Sequence, residues 1–383
     1  MLNARDSRVD FFRGLALIFI FWDHIPNNPL ALLTVRNFGF SDATEIFVFL
    51  AGYAALLAYG KIARRDGFLA ASLKIWHRAW VLYVVHIFLA CVLMGLVFYA
   101  NSQVETRDMA QEMGLQYFLT NPQMALTDGL MLRFKPYLMD PLPLYIMLLT
   151  VLPLVLPTLL RAPHYVVATS ISFYLVARWF EWNLPNHDGG GWYFNPMAWQ
   201  LLFILGGAAA LHPNKTPATP RLQPQRPLFI AAVLYLLIAG ALAIAGHWPA
   251  VRVAFVPAPL NDWLPTMSKT NLSPPRLLHF LALAYVVARL LPDSGWTRNW
   301  FAQQACRMGR YSLVVFCLGV LLAPIADMFN SLAGETLWMR LISAFSGVVV
   351  MVALAAWLDL YKRWTRPLFI SAPAHQDDIR REP

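Results

Sequence analysis

Ten continuous apolar runs, each close to bilayer length, constrain this chain more than any other feature. They fall at 9–26, 43–60, 79–100, 139–160, 163–182, 196–211, 227–246, 275–291, 310–329 and 337–358. A spanning helix needs about 20 mostly apolar residues. Strands of a membrane barrel instead alternate apolar and polar over about ten residues. Because the hydrocarbon offers no water to an open backbone, the runs predict an all-α, polytopic integral membrane bundle of about ten transmembrane helices. Composition agrees: of 383 residues, 58% are hydrophobic and 13% charged, against about 25% charged in soluble domains. The expected organisation is one membrane domain, residues 1–365, followed by a cytoplasmic tail, 366–383.

The net charge of +9 comes from short basic clusters between the runs. No extended basic stripe is present, so nucleic acid is not an expected partner. The clusters report topology, because lysine and arginine are retained on cytoplasmic loops. About 20 lie on one side, among them Arg5, Arg8, Lys61, Arg64, Arg65, Lys74, Arg78, Lys215, Arg221, Arg310, Arg366, Arg380 and Arg381; about 8 lie on the other. Both termini are therefore expected in the cytoplasm, in a bacterial inner membrane. Cys91, Cys306 and Cys317 lie in or beside apolar segments without CxxC spacing, which suggests packing roles and neither disulfides nor a metal site. The first run carries Asp10, Arg13, Asp23 and His24 and has no small-residue cleavage site, so the N-terminus is expected to be retained.

Those same residues carry the chemistry. Ionisable groups at bilayer depth are costly and mark interiors or aqueous cavities. Arg13 and His24 are eleven residues apart, close to three helical turns, so they share a face and differ in depth by about 16 Å. Asp42 and Glu45 begin the second run at about the depth of His24. A carboxylate beside the imidazole would fix its tautomer and raise its basicity, as a general base for a hydroxyl requires; the alternative is that Asp23 and Asp42 cap helix ends. Between the second and third runs, the 61–78 loop is expected on the cytoplasmic side, with Lys74 and Arg78 candidates for donor phosphates. Arg178 with Glu181, and Arg276 with His279, are spaced as pairs on one helix face. His86 and Asp327 read as structural polar residues. Trp192, Tyr193, Trp248 and Trp263 are interfacial anchors or a sugar-stacking group.

With these residues in view, the chain resembles the acyltransferase-3 superfamily, and within it the OpgC family of osmoregulated periplasmic glucan succinyltransferases. The superfamily's arginine, ten residues, histidine motif is Arg13 to His24, and its glycine-rich second-helix motif is EIFVFLAGY, 45–53, with Ala51 where serine is common. RNFGFSDATE (36–45), MDPLPLYI (139–146), GWYFNPMAWQLLF (191–203), KTNLSPPRLLHFLALA (269–284) and GRYSLVVFCLGVLL (309–322) point to the OpgC group. The resemblance implies O-acyl transfer, with succinyl-CoA as donor and glucose hydroxyls of a periplasmic glucan as acceptor. On that premise Arg13, Lys74 and Arg78 hold the donor's phosphates and His24 is the general base, oriented by Glu45, Asp42 or Asp23, with direct transfer and an acyl-histidine intermediate both compatible. Asn195 or Asn37 donates to the oxyanion, Arg276 or Arg178 holds the succinyl carboxylate, and Trp192 meets the glucan. An acetyl or other short acyl donor is the alternative within this class. A glucan or lipid exporter without chemistry is the alternative outside it, kept open by prolines 141, 143, 153 and 157, which are expected to interrupt the fourth helix.

Overall fold

The computed structural model describes residues 6–211, 226–248, 250, 252, 254, 256–291 and 295–365. The tail 366–383 lies outside the described residues, as do Arg5, Lys215 and Arg221. Each of the ten apolar runs is an α-helix: α1 (Ser7–Asp23), α2 (Ala43–Asp66), α3 (Phe68–Gln103), α4 (Pro141–Arg161), α5 (Pro163–Trp179), α6 (Pro196–Leu211), α7 (Arg226–Ala245), α8 (Pro274–Leu290), then a short α9 (Trp300–Arg310), followed by α10 (Ser312–Leu332) and α11 (Leu337–Thr365). Among the described residues, α2, α3, α4, α7, α10 and α11 are six helices long and apolar enough to cross a membrane. The helices α1, α5, α6 and α8 have 16 or 17 residues. The chain is thus an integral membrane protein. Among the described residues, the extended pairing is confined to one isolated bridge, Pro185 to Gly191.

Three expectations need correction. The 61–78 segment is no loop: α2 runs to Asp66 and α3 starts at Phe68, with Gly67 alone between them at φ +89°. Glycine adopts that backbone without a steric penalty. Ala71, Ser72, Ile75 and Ala79 are buried along one stripe of α3, a helical period that carries the apolar face below the predicted start. At 36 residues, α3 is about 54 Å long and overshoots the roughly 30 Å hydrocarbon layer. Second, α4 continues through Pro153 and Pro157, while Pro141 opens it, where a missing N–H costs nothing. Third, α9 is an amphipathic helix that no apolar run announced. Its Ala302, Ala305, Met308 and Gly309 are buried while Trp300 and Phe301 are exposed.

Small residues set the closest helix approaches, as is usual where apolar lipid removes the hydrophobic drive for association. A methyl group at Gly52 on α2 would collide with the Phe203 carbonyl of α6, and one at Gly206 with the Phe49 carbonyl of α2. The same reciprocity joins α9 to α1, through Gly14 against Ala305 and Gly309 against Asp10. Both ends of the described chain meet α9 or the turn before it. Ser7 lies against Thr297 and Cys306, and Asp359 near the end of α11 accepts from the Tyr311 hydroxyl and pairs with Arg310 at 3.3 Å. The two ends therefore share one side of the bundle. On the opposite side, Arg107 binds Asp327 at 2.6 Å and also Glu112, tying the segment after α3 to α10. Asp327 thus does not stand alone in its apolar helix but is one half of an ion pair.

Candidate functional site

Arg13 and His24 lie toward opposite ends of α1, and each opens onto free space. Around Arg13 is a cavity of about 340 Å³ lined by Arg13, Arg78 and Arg310, with Tyr59, Tyr145 and Tyr311. Arg13 donates to the Ser312 hydroxyl at 2.5 Å, which fixes its head against the start of α10. Arg310 reaches the same space while held by Asp359. Three guanidiniums around one cavity suit a polyanion, because each presents planar, permanently charged N–H groups. Lys74, expected here, does not line the cavity; its ammonium stands 3.8 Å from Asp66, and its own side chain is more than half exposed. Arg310 was read only as a topological charge, since its nearness to Arg13 depends on the fold of α9.

At the other end, His24 caps α1 and is exposed. Its Nδ1 lies 2.5 Å from the Ile20 carbonyl. A carbonyl only accepts, so Nδ1 carries the hydrogen and Nε2 keeps its lone pair. His24 borders an apolar seam with Leu17, Ile20, Phe21, Leu138, Val315, Phe316 and Val320. The two spaces follow one another along the α1–α10 interface: the cavity takes Ser312, Leu313 and Val314 of α10, and the seam continues from Val315. The seam is tight, with about 10 Å³ free, room for about one water.

The carboxylates expected beside the imidazole are engaged elsewhere. Asp23 accepts from the Thr34 hydroxyl at 2.8 Å. Asp42 is the N-cap of α2 and forms a capping box with Glu45, and both are buried. Glu45 accepts two N–H groups of Arg276, at 2.7 and 2.9 Å. Asp42 meets Lys269 at 2.6 Å and Arg276 at 3.2 Å. Burial alone would raise the Asp42 carboxyl, but Lys269 and Arg276 hold it well below the usual carboxylate range. Four buried or half-buried charges thus cancel in pairs, as buried ions must. The imidazole is oriented by its own helix's backbone in their place.

The remaining candidates turn inward too. Arg276 is consumed by this quartet and does not pair with His279, whose Nδ1 faces the Ser41 hydroxyl at 2.7 Å. Arg178 donates to the Asn271 carbonyl at 2.6 Å, not to Glu181. Asn195 donates to the Trp182 carbonyl at 2.6 Å and to the Asn271 side chain at 2.8 Å, while its own oxygen caps α6. Asn37 is spent on the Ala31 carbonyl. Trp192 is buried beneath the Lys135 ammonium, 4.6 Å from the ring centre; Tyr193 is the exposed aromatic of that stretch. His86 is buried in α3.

The family model described as OpgC protein matches residues 5–363, nearly the whole chain, and so includes both ends of α1, the ionic quartet and the arginine cavity. No curated protein and no solved structure matches it.

Proposed function

Because this chain belongs to the OpgC protein family, we propose that it is a membrane O-acyltransferase of the acyltransferase-3 kind, moving succinyl from cytoplasmic succinyl-CoA to glucose hydroxyls of an osmoregulated periplasmic glucan. The observation that carries this reading is the succession along α1 of an arginine-lined cavity, an apolar seam and an exposed histidine. A CoA thioester has the same order of parts: anionic phosphates, an uncharged arm and a reactive carbonyl. Arg13, Arg78 and Arg310 take the phosphates. The arm lies along the seam, which must widen by a parting of α1 and α10. His24 meets the thioester at the far end, about 16 Å from Arg13, where the sugar arrives.

His24 Nε2 removes the proton from a glucose hydroxyl as that oxygen attacks the thioester carbonyl. The new C–O bond forms, the C–S bond breaks, and the imidazolium returns its proton to the departing thiolate. The Ile20 carbonyl holds Nδ1–H throughout and favours the imidazolium, the part a carboxylate plays in a hydrolase triad. That α4 runs unbroken through Pro153 and Pro157 supports transfer over export, since interrupted helices are a mark of many transporters.

The direct test is mass spectrometry of glucans from cells with and without the protein: succinyl esters appear only with it, and identical glucans end the proposal. Arg310→Gln should raise the KM for the donor about tenfold while leaving kcat near wild type, because a phosphate contact contributes binding in ground and transition states alike. Steady-state kinetics against donor concentration checks this, and an unchanged KM removes Arg310 from the donor site.

On this reading all ten long helices cross the membrane, including the four of 16 or 17 residues. Both termini and the Arg13 end face the cytoplasm, and the His24 end faces the periplasm. Reporter fusions after residue 365 and within 113–130 should report cytoplasm and periplasm respectively. The reverse pattern would place the donor cavity on the wrong side.

A further inference from the structure

Every carbonyl from Lys269 to Leu272 is taken by a donor from α5, α6 or the residue capping α6. The Trp199 indole lies 3.1 Å from the carbonyls of both Lys269 and Thr270. The Asn195 backbone N–H donates to Thr270 at 3.1 Å, Arg178 to Asn271 at 2.6 Å, and the Tyr174 hydroxyl to Leu272 at 2.6 Å. Leu272 itself is held at φ +44°, a conformation that persists in a side-chain-bearing residue only when its surroundings over-determine it. Two residues expected at the substrate, Arg178 and Asn195, thus hold this turn instead.

What the turn presents is Lys269. Its ammonium pairs with Asp42, and its side chain is 27% exposed, against 14% for Arg276 and 0% for Glu45. Its charge reaches both His24 and Asp23. An ammonium has three N–H donors; Asp42 takes one, and among the described residues no other side chain or carbonyl takes the rest. Asp42 also keeps Arg276 as a partner, so it stays neutralised while Lys269 shares itself with a second anion. Phe194 beneath the ammonium, 5.5 Å from ring centre to nitrogen, blocks retreat to that side. Arg276, by contrast, is the more deeply buried cation and commits its Nε and Nη2 groups to Glu45 and Asp42.

We infer that Lys269 is the residue that holds the free carboxylate of the acyl group during transfer, and that the turn 269–272 exists to aim it. The assignment rests on the succinyl-transfer reading above and replaces Arg276 and Arg178 in that role. Arg178, Asn195, Trp199 and Tyr174 become positioning residues.

The test is a competition: purified full-length protein, equal succinyl-CoA and acetyl-CoA, and the ratio of the two glucan esters read by mass spectrometry. Lys269→Gln should lower the succinyl-to-acetyl ratio about tenfold or more, the loss of a charge-assisted hydrogen bond, while acetyl transfer continues. A wild-type ratio in that variant overturns the inference. If Lys269→Gln is not recovered folded, the double variant Lys269→Gln with Asp42→Asn removes both charges of the pair while Asn still caps α2, and its ratio should likewise fall about tenfold; a wild-type ratio there is equally fatal. Failure of the parent reading looks different: wild-type protein that transfers neither group, or acetyl alone, ends the succinyltransferase proposal whatever the variants do.

Discussion

His24→Ala is expected to abolish acyl transfer, by about 10²- to 10⁴-fold, the range a positioned general base supplies, and to leave the protein folded. The second half follows from geometry. His24 is exposed, and its hydrogen bond goes to its own helical turn at Ile20, so removing the ring strands no buried partner in another helix. Loss of the base leaves only positioning of the sugar and thioester by the rest of the site. The measurement is ester formation on glucan by purified variant, alongside its elution as a single species in detergent. Full transfer by well-folded His24→Ala would remove the mechanism. A collapsed protein would show instead that the ring is structural.

Arg276→Gln is expected to fail differently, by destabilising the bundle about 3–5 kcal/mol, the cost of leaving buried charge without its partner. Glu45 is fully buried and Arg276 gives it two N–H groups. The double variant Arg276→Gln with Glu45→Gln should recover much of the loss, since a neutral pair replaces an uncompensated anion. Acid sensitivity should shift as well. In the native protein the Asp42 carboxyl is depressed, despite burial, by Lys269 and Arg276. Its contribution is therefore complete above the ordinary carboxylate value of about 3.9 and is lost as pH falls through the lower native value. Without Arg276 that native value rises, so acid unfolding should begin at higher pH. Denaturant midpoints across a pH series check both statements; equal midpoints for wild type and Arg276→Gln would show that the quartet contributes nothing.

The sequence made the helices legible because each is an uninterrupted apolar run, and made Arg13 and His24 legible because charge inside such a run needs a reason. The turn between α2 and α3 is obscured by its charge: Lys61, Arg64, Arg65, Lys74 and Arg78 look like a loop, yet the first three sit on the last turns of α2 beside half-buried Ile62 and Ala63, and the other two alternate with buried Ser72, Ile75 and Ala79 of α3. Helix α9 was invisible to a search for apolar runs, because only one of its faces is buried. Side-chain partners were the least legible. Glu45 and Arg276 are 231 positions apart, and nothing local distinguishes a carboxylate that orients a histidine from one that neutralises an arginine. Arg178, Asn195 and Lys269 could be recognised as polar residues near one end of the bundle. Only the fold shows that the first two hold the turn that carries the third.

In the proposed reaction one protein joins a donor at the Arg13 end to an acceptor at the His24 end. Proteoliposomes of defined orientation, with glucan on the His24 side and labelled succinyl-CoA on one side at a time, separate the two ends. Labelled glucan is expected only when succinyl-CoA is at the Arg13 side; labelling that needs succinyl-CoA on the His24 side would rule out transfer across the membrane.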